Sequence, residues 1–220
     1  MNTFISYASD IKRTAGHIKI YLDRYGFNCF LAHEDILPQT KWPKEILKAL
    51  KQCDLFLPLL TTGFTESFFC QQETGFAYCR DVEILPVMIS KAPMGMIADL
   101  QAVKFNKEEF ESSCWKIVVH VGKRKKLSEP VLDKLIDWFG NSSTYKDATE
   151  NAKKILNEFD FSEEQVEDIR KHIKTNSQIY ETKEARDSIF KFMDKYSQHV
   201  DKKFREWYDS KNASRMWMRY

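Results

Sequence analysis

In residues 1–122, segments with the apolar pattern of β-strands alternate with segments that have the apolar spacing of α-helices. This alternation constrains the fold more than any other feature. Short runs rich in apolar and β-branched residues are separated by stretches in which apolar residues recur every three or four positions. The clearest run is Leu55–Leu60, which is apolar throughout, as expected for a strand buried on both faces. Strands that alternate with helices of about ten to fifteen residues indicate βαβ units and a parallel sheet.

The pattern predicts a five-stranded sheet with helices between the strands. The strands are expected at 3–7, 27–31, 55–60, 83–89 and 102–105, and the helices at 14–25, 43–53, 67–79 and 108–121. Pro43 suits the first helical position, because an N–H at that position would have no hydrogen-bond partner within the helix. Gly26 stands where a helix C-terminal stop belongs.

Strand signals end after the basic run 123–126, and the remaining residues are predicted to be all-helical. Helices are expected at 128–139, 145–159, 162–174 and 183–207, the third opened by a capping box at Ser162 and Gln165. The chain is therefore interpreted as two domains, an α/β domain at 1–122 and a helical domain at 127–220. The basic run is interpreted as a solvated linker, with an anionic docking patch as the alternative.

Charge and cysteine content exclude several classes of function. The net charge is +2, with 17 Lys and Arg against 14 Asp and Glu in residues 1–126 and 17 against 18 in residues 127–220, which disfavours nucleic-acid binding. Five cysteines without metal-like pairing, and a start that runs directly into a strand pattern without a signal peptide, predict free thiols in a cytoplasmic protein. No apolar run approaches the ~18 residues of a membrane span, so no membrane partner is expected.

The segment 67–73 is the strongest candidate for chemistry. It places Glu73 in the first turns of a helix that follows the apolar strand Leu55–Leu60, at the edge of an open parallel sheet where ligands bind. A glutamate on an amphipathic helix is ordinarily exposed to water. Cys70, one turn earlier, shares its face and is ordinarily a small buried apolar residue. Taken alone, the residues leave a catalytic Glu73 and a solvated Glu73 both open.

Four motifs in the same order resemble a TIR domain over residues 1–121. They are Phe4-Ile5-Ser6-Tyr7 for F-I-S-Y, residues 26–30 for G-[FY]-x-[VC]-F, residues 34–42 for D-I-x-P-G-x-x-W with Gln39 at the usual glycine, and Ser67-x-x-Cys70-x-x-Glu73 for S-x-W-C-x-x-E with Phe69 at the tryptophan. The resemblance implies a flavodoxin-like five-stranded parallel sheet. It does not extend to the helical region.

Some TIR domains cleave NAD at the nicotinamide–ribose bond, and the glutamate of the fourth motif is their catalytic residue, which implies that role for Glu73. The resemblance places NAD-contacting residues in the loops after the first two strands and beside the glutamate, at Tyr7, Ala8, Ser9, His33, Glu34, Asp35, Trp42 and Cys70. From the residues alone, His33 and Trp42 are more simply interpreted as ordinary loop residues than as ligand contacts. NAD would be a substrate, with no cofactor or metal. Some enzymatic members carry basic residues where Ala8-Ser9-Asp10 stand here.

The chemistry requires only one carboxylate. Nicotinamide departs as a neutral molecule from an oxocarbenium-like transition state, so one carboxylate can stabilise the positive charge and no acid is needed for the leaving group. The acceptor decides the product: water gives ADP-ribose, the adenine ring a cyclic product, and another nucleophile a conjugate.

Three hypotheses follow. The first is an NAD-consuming bacterial TIR enzyme of the Thoeris anti-phage type, which self-associates through its TIR domain and signals to an effector protein. The second is a non-catalytic TIR interaction module that docks through residues 33–42 and 43–53. The third is a sensor of the same fold that binds a nucleotide without turnover.

Overall fold

The computed structural model of the chain describes residues 1–31 and 42–213, without the side chains of residues 42, 43 and 213. Contacts divide the chain into two compact units, Met1–Leu127 and Ser128–Tyr220. Within the described residues, no helix has both the length and the apolar character needed to cross a bilayer. All five cysteines are described, and none of them forms a disulfide.

The first unit contains a parallel sheet. Its described strands are β1 (Asn2–Ser6), β2 (Asn28–Leu31), β3 (Leu55–Leu60), β4 (Glu83–Ile84), β5 (Val87–Met88) and β6 (Val103–Lys104). The spatial order is β2-β1-β3-β5-β6, with β4 also paired to β3, and every pairing is parallel. The parallel sheet predicted from the alternating periods is confirmed.

The predicted fourth strand, 83–89, is two short strands in one line. The pairs that define them on β3 are Leu55 with Glu83 and Leu59 with Val87. Both pairs have the same offset (83 − 55 = 87 − 59), which places Pro58 level with Pro86. Proline has no N–H to donate to a ladder, so the hydrogen bonding is interrupted where these two prolines meet.

Helices cover both faces of this sheet. They are α1 (Lys12–Asp23), α2 (Trp42–Gln52), α3 (Thr62–Glu66), α4 (Phe68–Cys79) and α5 (Phe110–Gly122). The rings of Phe4, Phe30 and Phe56 form an apolar layer on one face, and buried residues of α2 and α4 pack against it. α1 and α5 pack together through aromatic contacts such as that between Tyr21 and Phe110. Since successive strand residues point to opposite faces, this pair covers the other face.

The described residues of the second unit form helices joined by short turns, with no strand among them, as predicted. Its helices are α6 (Ser128–Gly140), α7 (Tyr145–Leu156), α8 (Glu163–Thr175), α9 (Ser177–Tyr180), α10 (Arg186–Lys195) and α11 (Lys202–Ala213). The capping box at the start of α8 is present, with Ser162 Oγ accepting from the Gln165 backbone N–H and the Gln165 side chain accepting from the Ser162 backbone N–H.

The single helix predicted over 183–207 is wrong. The chain forms α10 and α11 there, separated by residues 196–201. Asp201 caps the second helix, because its Oδ1 accepts a 2.7 Å hydrogen bond from the Phe204 backbone N–H. Val200 is buried, and it continues the three-to-four-residue spacing of apolar residues across the break. The periodicity therefore concealed the turn.

Helices α6 and α8 approach closely at Gly140. A Cβ atom on this residue would lie 2.1 Å from the Nδ1 atom of His172. Asn176, just after α8, donates 2.9 Å hydrogen bonds to the carbonyl oxygens of Gly140 and Ser142. The end of α6 thus needs both a residue without a side chain and a polar partner from the end of α8.

Candidate functional site

The candidate site lies at the carboxyl edge of the sheet, where β1 and β3 end. β1 ends at Ser6, and β3 ends just before α3 and α4 begin. Ser67 is the N-cap of α4, since its Oγ accepts a hydrogen bond from the Cys70 backbone N–H at 3.3 Å. A serine at this position suits that role, because it satisfies an amide that the helix itself leaves unbonded. The cap fixes the start of the helix that carries Glu73.

Glu73 is buried, with 7% of its surface exposed. Its Oε2 accepts a hydrogen bond of 2.5 Å from Ser6 Oγ, and its Oε1 accepts none from any other described residue. Burial raises the pKa of Glu73 from 4.5 to about 7, although the hydrogen bond from Ser6 lowers it. The carboxyl group is therefore divided between its charged and neutral forms at neutral pH.

Cys70 is also buried, and burial raises the pKa of its thiol. Hydrogen bonds with Ser67 and Ser6 act in the opposite direction, while the charge of Glu73 raises the pKa further. A thiol with a raised pKa is a poor nucleophile at neutral pH, since the thiolate is the reactive form. Cys70 therefore contributes packing beside Glu73.

An open cleft of about 310 Å³ lies in front of Glu73. The described residues that line it are Tyr7, Ala8, Ser9, Asp10, Gly63, Glu66, Ser67, Phe69, Cys70 and Glu73. Five of the residues singled out from the sequence thus come together, namely Tyr7, Ala8, Ser9, Cys70 and Glu73. His33, Glu34 and Asp35 lie outside the described residues. Trp42 begins α2, but its side chain is outside the description.

The described lining of this cleft is acidic. Asp10 and Glu66 join Glu73 there, and none of the described lining residues is Lys, Arg or His. The carboxylate of Asp10 lies close to Gly63. A Cβ atom added to that glycine would be only 2.9 Å from Asp10 Cγ. An acidic cleft of this kind attracts a cationic group and repels an anionic one.

Glu73 also borders an apolar groove of about 260 Å³ between α2 and α4. Its other lining residues are Ile46, Leu47, Leu50, Phe69, Gln72 and Phe76. Phe69 lines both the groove and the acidic cleft, and 59% of its surface is exposed. The carboxylate is therefore next to an apolar surface on one side and to an acidic surface on the other.

Sequence reasoning missed Ser6 as the partner of Glu73, and Gly63 and Glu66 as lining residues. Nothing in the local pattern distinguishes Glu66 from an exposed loop glutamate. Ser6 was visible only as part of the first motif. No group of three or more potential metal-binding side chains occurs among the residues that the structure describes.

A cavity of about 360 Å³ lies elsewhere, bordered by Asn2 and Asn28 at the amino ends of β1 and β2. It contains no carboxylate among its described lining residues. We assign the site to the opposite edge, because ligands of open α/β sheets bind at the carboxyl ends of strands.

Comparison with known proteins identifies the family. A family model described as TIR domain matches residues 3–118, more than half of the chain, and the chain belongs to this family. Such domains are signalling modules that associate with one another. The chain is also similar to the crystal structure of the TIR domain of the Toll-related Receptor TRR-2 from Hydra magnipapillata, with 13% identity and a TM-score of 0.46 over 54% of this chain and 95% of that one. No curated protein matches the chain.

Proposed function

We propose that this TIR protein cleaves NAD at the nicotinamide–ribose bond, with Glu73 as the catalytic residue. The observation that carries the proposal is the buried Glu73 carboxylate, which has one oxygen bonded to Ser6 and borders an open acidic cleft. Enzymes place such perturbed carboxyl groups in clefts where charge develops during a reaction.

The reaction proceeds by separation of charge. The bond between ribose C1′ and the pyridinium nitrogen breaks, its electron pair stays on nicotinamide, and the positive charge moves to the ribose ring. Ionised Glu73 stabilises this charge. A nucleophile then bonds to C1′; when it is water, ADP-ribose forms and one proton is released.

The acidity of the cleft fits the cationic end of NAD. The oxidised nicotinamide ring carries a positive charge, which Asp10, Glu66 and Glu73 attract, and the apolar groove offers a surface for a flat ring. The pyrophosphate carries negative charge and gains nothing from these three residues. Its contacts must come from groups other than the described lining residues of this cleft.

The biological setting is inferred from the sequence resemblance alone. The motifs resemble the TIR family, and a TIR chain of this kind is compatible with bacterial defence of the Thoeris type, so we place NAD cleavage in the cytoplasmic response to phage infection. A cyclic or conjugated ADP-ribose product would carry the signal to an effector protein.

Incubation of the purified chain with NAD, with and without phage-infected lysate, tests the proposal by mass spectrometry of the products. We expect wild type to consume NAD in at least one condition and Glu73→Ala to leave it intact. The matched control is Glu108→Gln, an exposed acid outside the cleft, which should behave as wild type. Equal behaviour of wild type and Glu73→Ala in every condition would show that the proposal is wrong.

A second candidate function is a non-catalytic TIR module that assembles a signalling complex. It is favoured by two aromatic side chains at the start of α4, Phe68 and Phe69, which are 85% and 59% exposed. Exposed aromatic residues are enriched in protein interfaces. Under this alternative, Phe68→Ser disrupts self-association measured by analytical ultracentrifugation, and no Glu73 variant changes NAD levels.

A further inference from the structure

The helical unit contains a cleft of about 380 Å³ between α8 and α11. Its volume is within the usual range of small-molecule sites, roughly 300–1,000 Å³. α8 contributes cationic side chains to this cleft, and α11 contributes aromatic ones.

Arg170 lines the cleft, and several contacts hold its side chain. Its guanidinium donates to Glu167 Oε2 at 2.6 Å, to the His199 carbonyl oxygen at 2.9 Å and to Asp201 Oδ2 at 3.0 Å. The guanidinium carbon also lies 5.1 Å from the centroid of the Phe204 ring. The only two carboxylates among the described lining residues are therefore already bonded to Arg170.

Three lysines give the cleft its excess of positive charge. Lys171 and Lys174 lie on α8, and their ammonium groups form no ion pair or hydrogen bond with other described residues. Lys203 lies on α11, and its charge acts on Asp201 just before that helix. With Arg170, four cations face two carboxylates. Residues 127–220 as a whole carry 17 basic against 18 acidic side chains. The positive charge is thus a local feature of this cleft.

Trp207 forms the aromatic wall. Its ring centroid lies 5.6 Å from that of Phe204 and 5.5 Å from that of Tyr180, so two neighbours hold the indole in place. The indole itself is only partly buried and lines the cleft. A fixed, partly exposed indole provides a stacking surface, and the purine and pyrimidine bases stack on such surfaces irrespective of sequence.

We propose that this cleft binds a free phosphorylated nucleotide, with its base on Trp207 and its phosphates at Lys171, Lys174 and Lys203. Charge-assisted hydrogen bonds from ammonium groups recognise phosphate, and the indole recognises the base. A single small cleft matches a free nucleotide better than a nucleic acid, which requires a positive surface that follows the backbone. The site is independent of NAD cleavage at Glu73.

Isothermal titration of the full chain with ADP tests the proposal. We expect Lys171→Glu/Lys174→Glu to weaken ADP binding about tenfold or more, because two charged contacts are lost. The control Lys146→Glu/Lys153→Glu reverses the same charge on α7 and should bind as wild type. The Glu73→Ala variant should retain ADP binding, which separates this site from the NAD cleft. Absence of ADP binding to wild type, or equal binding by both lysine pairs, would overturn the proposal.

The aromatic contact has its own test. Trp207→Ala should weaken ADP binding more than Trp207→Phe, with circular dichroism showing that both variants are folded. Inorganic pyrophosphate, which lacks a base, should bind more weakly than ADP. Pyrophosphate binding as tight as ADP binding would contradict the stacking role of Trp207. Tighter binding of a short single-stranded oligonucleotide through the same lysines would overturn the assignment to a free nucleotide.

Discussion

Ser6 Oγ donates a 2.5 Å hydrogen bond to Glu73 Oε2, and this bond joins the end of β1 to α4 across 67 residues of sequence. Both side chains are buried, so the bond is shielded from water. It fixes one carboxylate oxygen of a residue that lines the cleft. Ser6 is therefore a positioning residue for the proposed catalytic group.

Removal of this donor should impair NAD cleavage. We expect Ser6→Ala to lower the rate at pH 7 by roughly tenfold to a hundredfold, because a hydrogen bond to an ionised group is lost. The variant also lacks a donor that favours the charged carboxylate, so the pKa of Glu73 rises and the pH–rate profile moves to higher pH. Ser112→Ala, at an exposed position of α5, is the matched control. An unshifted profile would contradict the positioning role.

NAD cleavage should increase with pH through neutrality. The pKa of Glu73 is about 7, and the ionised form, which stabilises the ribose cation, predominates above it. The bound nicotinamide cation favours the charged carboxylate and so lowers the pKa of Glu73 in the complex with NAD. The rise of kcat with pH should therefore occur at lower pH than the rise of kcat/KM, which reports the free enzyme. Initial rates of NAD loss across neutral pH measure both limbs. A rate that falls as pH rises through 7 would exclude ionised Glu73 as the active form.

Glu73 should also reduce the stability of the folded chain at alkaline pH. Its folded pKa is about 7 against 4.5 for the ordinary group, so the unfolded state ionises first and is favoured as pH rises between these values. Above pH 7 the cost is on the order of 3 kcal/mol. Glu73→Gln removes the charge and should raise the urea midpoint at pH 8, with the gain disappearing as pH falls to about 4. A gain independent of pH would contradict the raised pKa.

Two glycines provide an opposed pair of stability predictions. Gly140→Ala places a Cβ atom 2.1 Å from the His172 ring, so we expect a loss of about 1–3 kcal/mol from overpacking. Gly75→Ala lies within α4 and its added Cβ meets nothing within 4 Å, so we expect a gain of about 0.5–1 kcal/mol. Urea denaturation of both variants measures the sign of each change in the free energy of unfolding. Equal effects would contradict the close approach of α6 and α8.

Local periodicity was sufficient to predict the sheet, the helical second unit and the position of Glu73 after β3. Ser67 and Glu73 are separated by less than two helical turns, so their arrangement was readable from spacing. The bond between Ser6 and Glu73 was not, because it depends on β1 and β3 lying side by side in the folded sheet. The turn before α11 was also missed, since Asp201 caps the helix without a glycine or proline to signal it.

The position of Phe69 between the acidic cleft and the apolar groove has a consequence for inhibitor chemistry. A compound that occupies both compartments needs a positively charged head beside Glu73 and a flat apolar body across Phe69. The charged residues among the described lining are all acidic, so they repel phosphate mimics. Flat cationic heteroaromatic compounds are therefore the better starting points for blocking the proposed cleavage of NAD.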